Sequence, residues 1–109
     1  MAITLNGTSG IVTPAIQSWV SLNSSTGVTA GQHILADTSA GAITLTLPTT
    51  PAVNDAIIFA DKYKTWDTNN LTIARNGNTI NGLAENLVCD VEGADLTMIY
   101  NGTTWNIYF

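Results

Sequence analysis

An all-β fold is predicted for this chain of 109 residues, and three features of the sequence predict it. Apolar side chains alternate with threonine, serine and asparagine over short runs, instead of recurring every three or four residues. Asn-Gly pairs separate several runs, and such pairs are strong signals for hairpin turns. The chain also contains 17 threonines and 11 asparagines, which suit pleated surfaces and turns better than helix interiors. Together these features predict a small antiparallel β-sandwich, jelly-roll-like, in one domain.

Eight runs are predicted to be strands. In the run 42–47, Ile43, Leu45 and Leu47 share one face, and two threonines share the other. The run 55–60 is denser in apolar residues, which is typical of a strand covered on both faces. In chain order the predicted strands are residues 16–22, 32–37, 42–47, 55–60, 71–75, 86–91, 95–100 and 104–109.

The connections follow from turn chemistry. Asn101-Gly102 is predicted to form the turn between the last two strands, because Asn and Gly adopt positive φ readily. Further Asn-Gly pairs begin at residues 6, 76 and 81. Residues 62–70 form a long polar stretch and are predicted to be an exposed loop. Residues 84–87 are the one candidate for a helical turn, so the expected fold is almost purely β.

The first 30 residues differ in composition from the rest. Gly, Ser, Thr and Asn dominate there, and the apolar residues are scattered. We therefore expect residues 1–30 to form an extended N-terminal attachment arm and residues 31–109 to form the folded body. The arm would bury its apolar side chains on the body of the same subunit, on a neighbouring copy or on a host structure. The predicted arm contacts are Ile11, Val12, Ile16 and Trp19.

Charge and composition exclude several classes of protein. Lys and Arg total 3 against 8 Asp and Glu, for a formal net charge of -5. Three basic residues cannot form the patch that nucleic-acid binding requires, and no apolar run is long enough to span a membrane as a helix. The single Cys excludes an internal disulfide framework. No secretory signal pattern is visible at the N-terminus, so synthesis in a reducing interior is expected.

Catalytic residues are not expected. His33 and Cys89 could act as base and nucleophile only if the fold joined distant strands, and a strand histidine with a small buried thiol is the commoner arrangement. Most carboxylates fall at strand ends, where Asp typically organises a turn. We therefore predict a protein that is not an enzyme and has no cofactor and no metal site. One weaker alternative is a calcium site formed by Asp61, Asp67, Asn69 and Asn70, whose spacing matches no EF-hand.

The aromatic residues suggest one exposed contact. Trp66 lies in the polar loop beside Tyr63, Lys62 and Lys64, so it is predicted to be exposed, and Trp66 and Tyr63 are predicted to contact a ligand or partner. Core packing is the usual role of the remaining aromatic residues. A sugar-stacking platform is the alternative, and it would use Trp19, Trp66 and Trp105 with Tyr63, Tyr100 and Tyr108.

Several segments resemble the virion accessory proteins of tailed bacteriophages. The opening residues 1–14 are similar to the start of many fibre and appendage proteins, and residues 35–48 are similar to a module that recurs in phage virion proteins. Shorter similar segments are residues 59–61, 69–77, 80–82 and 100–105. The resemblance implies a structural virion protein, often trimeric, with no catalytic residues. The chain differs from a long fibre in having no repetitive shaft.

The resemblance and the composition together give three hypotheses on function. The first is a non-enzymatic capsid decoration (cement) protein that forms a homo-oligomer, with a trimer favoured, on the virion surface after synthesis in the host cytoplasm. The second is a short tail-fibre or tail-appendage component, and the third is a carbohydrate-binding β module. The expected partners are further copies of the chain and other virion proteins, such as the major capsid protein or tail proteins. A host glycan stays open as a partner, whereas nucleic acid and membrane are not expected.

Overall fold

The computed structural model describes residues 18–109, which form nine β-strands in two sheets. No helix occurs in this range, so the predicted all-β class is confirmed; the candidate helical turn at residues 84–87 is a bend at residues 84–85, and Leu87 begins β7. Each of the eight predicted runs contains a strand, and β2 is additional. The strands are β1 (Trp19–Leu22), β2 (Thr26–Gly27), β3 (His33–Ala36), β4 (Ile43–Thr46), β5 (Ala56–Asp61), β6 (Leu71–Ala74), β7 (Leu87–Cys89), β8 (Asp95–Tyr100) and β9 (Trp105–Tyr108).

The sheets are mixed, so the prediction of an antiparallel arrangement was wrong, and the jelly-roll-like topology is not confirmed. The five-stranded sheet has the order β1-β3-β5-β8-β9, and the four-stranded sheet has the order β2-β4-β6-β7. Along β1 to β6 the chain crosses to the other sheet after every strand, and all pairs among these six strands are parallel. The antiparallel strand pairs are β5 with β8, β6 with β7, and β8 with β9. Alternation and turn residues do not reveal strand direction, because both kinds of pair have the same two-residue period.

One hydrophobic core lies between the sheets. Within the five-stranded sheet Ile34 lies opposite Phe59, and Ile57 lies opposite Met98. These four side chains are completely buried, as are Leu45 and others from the four-stranded sheet. Each such side chain contributes about 1.5–3 kcal/mol through its removal from water. The predicted inward face of residues 42–47 is therefore confirmed.

The last hairpin forms at the predicted turn. Asn101 accepts hydrogen bonds through its side-chain oxygen from the backbone N–H groups of Thr103 and Thr104, each at 2.9 Å. Gly102 has a φ of 101°, a conformation that a residue with a Cβ rarely adopts. The loop has four residues between β8 and β9, so it is longer than a two-residue type I′ turn.

Asn81-Gly82 forms a two-residue hairpin turn, which is the turn that an Asn-Gly pair predicts. Both residues have positive φ, 49° and 79°. The flanking residues Ile80 and Leu83 exchange two backbone hydrogen bonds of 2.9 Å. Asn76-Gly77 also has positive φ at both residues, but it lies inside the long connection from β6 to β7. The Asn-Gly pair at residue 6 lies outside the described residues.

The C-terminal part of the predicted arm forms sheet edges. β1 pairs with β3 over its whole length, from Trp19 opposite His33 to Leu22 opposite Ala36, and β2 pairs with β4. Residues 18–30 thus supply one edge strand to each sheet. The remaining predicted arm contacts, Ile11, Val12 and Ile16, lie outside the described residues, and their role stays a prediction.

Candidate interaction surfaces

Asp61 organises the polar loop that was predicted over residues 62–70. One carboxylate oxygen accepts the Thr65 N–H at 3.0 Å, and the other accepts the N–H groups of Trp66 at 3.1 Å and Gly93 at 3.0 Å. Asn69 donates from its side chain to the Thr38 carbonyl at 2.9 Å. The loop is therefore fastened to two neighbouring connections, and it cannot swing as an independent unit.

Trp66 is completely buried, so the prediction that it is an exposed contact residue was wrong. Its indole N–H points to the Ala36 carbonyl at 3.4 Å, and Asn70 donates from its side chain to the Trp66 carbonyl at 2.7 Å. The sequence did not predict this burial, because the residues next to Trp66 are polar. In the structure, the hydrogen bonds of Asp61 turn the Trp66 side chain inward. Trp105 is also fully buried, so a sugar platform cannot include these two tryptophans.

Tyr63 and Trp19 are the two predicted contact residues that the structure leaves open to solvent, with exposed fractions of 55% and 49%. The Lys62 ammonium is 5.2 Å from the centroid of the Tyr63 ring and donates to the Ser21 hydroxyl of β1 at 2.7 Å. The Trp19 ring packs against His33 with centroids 5.2 Å apart. A polar and aromatic corner therefore lies where β1 meets the loop.

The outer face of the five-stranded sheet combines apolar side chains with the polar residues Ser21, His33, Asp95, Thr97 and Asn106. Ile58 and Ala60 of the central strand β5 point away from the core, since Ile57 and Phe59 between them point inward and are completely buried. One row of register partners crosses all five strands and ends at Trp19 on one edge and Tyr108 on the other. We call the apolar members of this surface the apolar sheet face: Trp19, Leu35, Ala56, Ile58, Ala60, Ile99 and Tyr108.

The outer face of the four-stranded sheet has a different chemistry. Thr44 lies opposite Thr72, which lies opposite Val88, and Thr46 lies beside Ala74. Threonines dominate this surface and suit contact with water. The two outer faces therefore differ in composition: more large apolar side chains lie on the five-stranded sheet, whereas threonine is the commonest residue on the four-stranded sheet. Of the apolar sheet face, sequence reasoning listed only Trp19 as a contact, although the dense apolar run of β5 was predicted to be covered on both sides.

Three aspartates at strand ends act as turn organisers. Asp37 accepts hydrogen bonds from the Ser39 hydroxyl and the Ser39 N–H, and these bonds hold the pKa of that carboxyl below its usual value. Asp55 accepts the Ala52 N–H at 2.8 Å, and Asp61 has the partners described above. This is the role that their positions predict. Because the Asp61 oxygens bind backbone N–H groups and the Asn69 and Asn70 side chains donate to carbonyls, the calcium alternative has no support in this loop.

His33 and Cys89 do not form a nucleophile–base pair in the fold. His33 is half-buried on β3 of the five-stranded sheet, and Cys89 is buried on β7 of the four-stranded sheet. Burial raises the pKa of the Cys89 thiol to about 12, and the nearby Asp90 charge acts in the same direction. A nucleophilic cysteine requires the opposite shift. The prediction of a partly buried histidine and a buried thiol is confirmed. Within residues 18–109, no group of three His, Cys, Asp or Glu side chains is placed to hold a metal ion.

The Cys89 pKa predicts a decrease in stability at alkaline pH. The thiol ionises near pH 9 in the unfolded chain but only near pH 12 in the folded chain. Its contribution to stability is therefore complete below pH 9 and is lost as pH rises from 9 to 12, by up to about 1.4 kcal/mol per pH unit. Urea unfolding at pH 8, 10 and 11 should show a steeper loss for the native protein than for Cys89→Ala. Parallel losses in the two proteins would contradict the raised pKa.

The described residues thus form a small β module with a fastened loop, one apolar sheet face and no helix long and apolar enough to cross a membrane. Such a module is typical of proteins that act by assembling with others. The chain matches the family described as "Bacteriophage T4 gp9/10-like protein, N-terminal" over residues 6–107. Because the match covers nearly the whole sequence, the chain belongs to this family. No curated protein matches the chain.

Membership of this family confirms the resemblance to phage virion accessory proteins. The protein is a bacteriophage virion structural protein, from a family of the tail-fibre and baseplate type.

Proposed function

We propose that the protein is a self-associating structural subunit of the phage tail, in a baseplate or short appendage, and that it assembles as a trimer through the apolar sheet face. The tail-fibre and baseplate type of the family supports the tail as its location. The apolar sheet face is the observation that carries the self-association. Synthesis in the host cytoplasm and a position on the virion surface belong to the same proposal.

The contacts of β5 explain why this face needs a partner. Ile58 and Ala60 lie at the centre of the sheet, and Leu35 is the register partner of Ala60. Two charged groups reach this outer face: Asp95 lies at the end of β8, and the Lys62 ammonium donates to Ser21, the register partner of Leu35. Burying such a surface removes apolar area from water without removing many charges from it. A small domain gains core volume in this way, which it cannot provide alone.

The experiment introduces a charge at the centre of each outer face. Ile58→Lys is expected to convert the oligomer to monomers, because association would bury the ammonium without a partner. Thr72→Lys is the matched control, since Thr72 is also half-buried on an inner strand but lies on the threonine-rich face. Light scattering coupled to size-exclusion chromatography should give three subunit masses for the native protein and Thr72→Lys, and one for Ile58→Lys.

Circular dichroism must first show that both variants retain the β fold. A native protein that is monomeric at micromolar concentration would contradict the proposal. So would an Ile58→Lys variant that is folded and still oligomeric.

Capsid decoration is the second candidate, and the sequence observation that favours it is the lack of a repetitive shaft. Gold-labelled antibody against the native protein distinguishes the two locations on intact particles. Label at one end of the tail supports the proposed tail role, whereas label spread over the head supports decoration. The oligomer experiment does not depend on this outcome.

A further inference from the structure

A groove lies between β7 of the four-stranded sheet and β9 of the five-stranded sheet. Two cavities form it, of about 200 Å³ and about 150 Å³, and Leu87 contributes to both. Cys89 and Phe109 line the larger cavity, and Ile107 lines the smaller one. We call this feature the β7–β9 groove. It lies where the five-stranded sheet has one strand more than the four-stranded sheet.

The backbone of β7 is open on the side of the groove. Among residues 18–109, β7 pairs with β6 alone. The edge of β9 is partly occupied instead, because Trp105 donates its N–H to the Thr79 carbonyl at 3.0 Å and Asn81 donates to the Trp105 carbonyl at 2.7 Å. A free edge presents unpaired N–H and C=O groups that can bind another strand. The position for a fifth strand of the four-stranded sheet is thus next to β7.

The walls of the groove are apolar and unusually exposed. Phe109 is 96% exposed and Val91 is 61% exposed, although both line the larger cavity. The floor of that cavity includes Leu96 and Trp66, which are buried. Exposed apolar side chains around a cavity mark a surface that gains free energy when it is covered.

The charges around the groove identify the kind of segment that fits. Asp90 lines the larger cavity and Glu85 lines the smaller one, and neither cavity is lined by a basic residue. Arg75 adjoins the smaller cavity by donating its backbone N–H to the Asn86 side chain, and the stem of Lys64 passes near Gly93. The native chain has only three basic residues, and one of them, Arg75, donates to the Asn78 carbonyl. A second copy of the chain therefore lacks an apolar strand with basic ends.

We propose that the β7–β9 groove binds an extended segment of a different protein, which adds to β7 as a fifth strand of the four-stranded sheet. Every second side chain of that segment is apolar and enters the groove. A lysine or arginine at each end lies beside Asp90 and Glu85. Backbone hydrogen bonds supply part of the affinity, and the alternate side chains supply the specificity.

The test uses a seven-residue synthetic peptide of alternating valine and threonine with lysine at both ends. NMR spectra of the native, isotope-labelled protein should show saturable shifts of the amides of residues 87–91 and 107–109. A peptide with glutamate at both ends should bind at least about fivefold more weakly, since two rim charges then repel it. A peptide with proline at its centre should bind more weakly still, because it loses a backbone donor.

Two variants locate the binding on the groove. Val91→Ser should weaken binding of the lysine peptide severalfold, because Val91 forms part of the wall. Val53→Ser is the matched control, since Val53 is also 61% exposed but lies against Gly102, in the loop at the other end of β9 from Phe109. Asp90→Asn combined with Glu85→Gln should remove most of the difference between the lysine and glutamate peptides.

Other results would overturn this inference. Absence of shifts at millimolar peptide would mean that no added strand binds there. Shifts in residues 87–91 that depend on protein concentration without peptide would assign the groove to a second copy of the chain. Equal binding of the lysine and glutamate peptides would remove the charge argument. None of these results decides the proposed function, because the trimer is tested by Ile58→Lys on the apolar sheet face and the tail location by particle labelling.

Discussion

Trp66→Ala is expected to lower the free energy of unfolding by about 3–5 kcal/mol, the range for removing a large buried aromatic side chain. Trp66 is completely buried in the shared core, and its loss leaves a cavity beneath the loop. Native domains are stable by only about 5–15 kcal/mol, so the variant should unfold at much lower urea concentration. Urea titration followed by circular dichroism measures the change.

Tyr63→Ala is the matched control, because Tyr63 is an aromatic residue of the same loop that is 55% exposed. Its free energy of unfolding should change by less than about 1 kcal/mol. Similar losses in both variants would contradict the core position of Trp66. If Tyr63 is a partner contact, as its exposure permits, Tyr63→Ala should impair incorporation into particles while the fold stays intact.

Asp61→Ala is expected to cost about 2–4 kcal/mol of stability, since three backbone N–H groups lose their acceptor. Hydrogen bonds to a charged group are worth about 1.5–3 kcal/mol each, and water replaces part of that loss at a partly exposed site. The bonds to Thr65, Trp66 and Gly93 join the loop to the connection before β8. Hydrogen exchange should therefore show loosening in both segments.

Asp67→Ala provides the control for charge, because Asp67 is an exposed carboxylate in the same loop. We expect its stability to stay within about 0.5 kcal/mol of the native value. Asp61→Asn separates charge from shape, since the amide keeps the size of the side chain but replaces one acceptor by a donor. A loss of less than about 0.5 kcal/mol in Asp61→Ala would show that the loop is held by other contacts.

Local patterns predicted the strands and the main turns of this protein. The side-chain period of two depends only on neighbouring residues, so the alternation of residues 42–47 was sufficient to locate β4 and its inward face. Asn101-Gly102 predicted the last turn for the same reason, because its preference for a turn depends only on neighbouring residues. Asp37 and Asp55 likewise organise turns through bonds to residues two or three positions away. Such short-range chemistry does not depend on the rest of the fold.

Strand direction, β2 and the burial of Trp66 depended on tertiary structure. β2 exists because Thr26 and Gly27 reach β4, where Val28 donates to the Thr46 carbonyl at 2.9 Å, and no local alternation marks it. The parallel pairs arise from repeated crossing between the sheets, which joins residues 14 or more positions apart. Trp66 turns inward because distant groups fasten its loop. The apolar sheet face and the β7–β9 groove likewise appear only when separate strands are aligned, since each strand alone contributes only part of their residues.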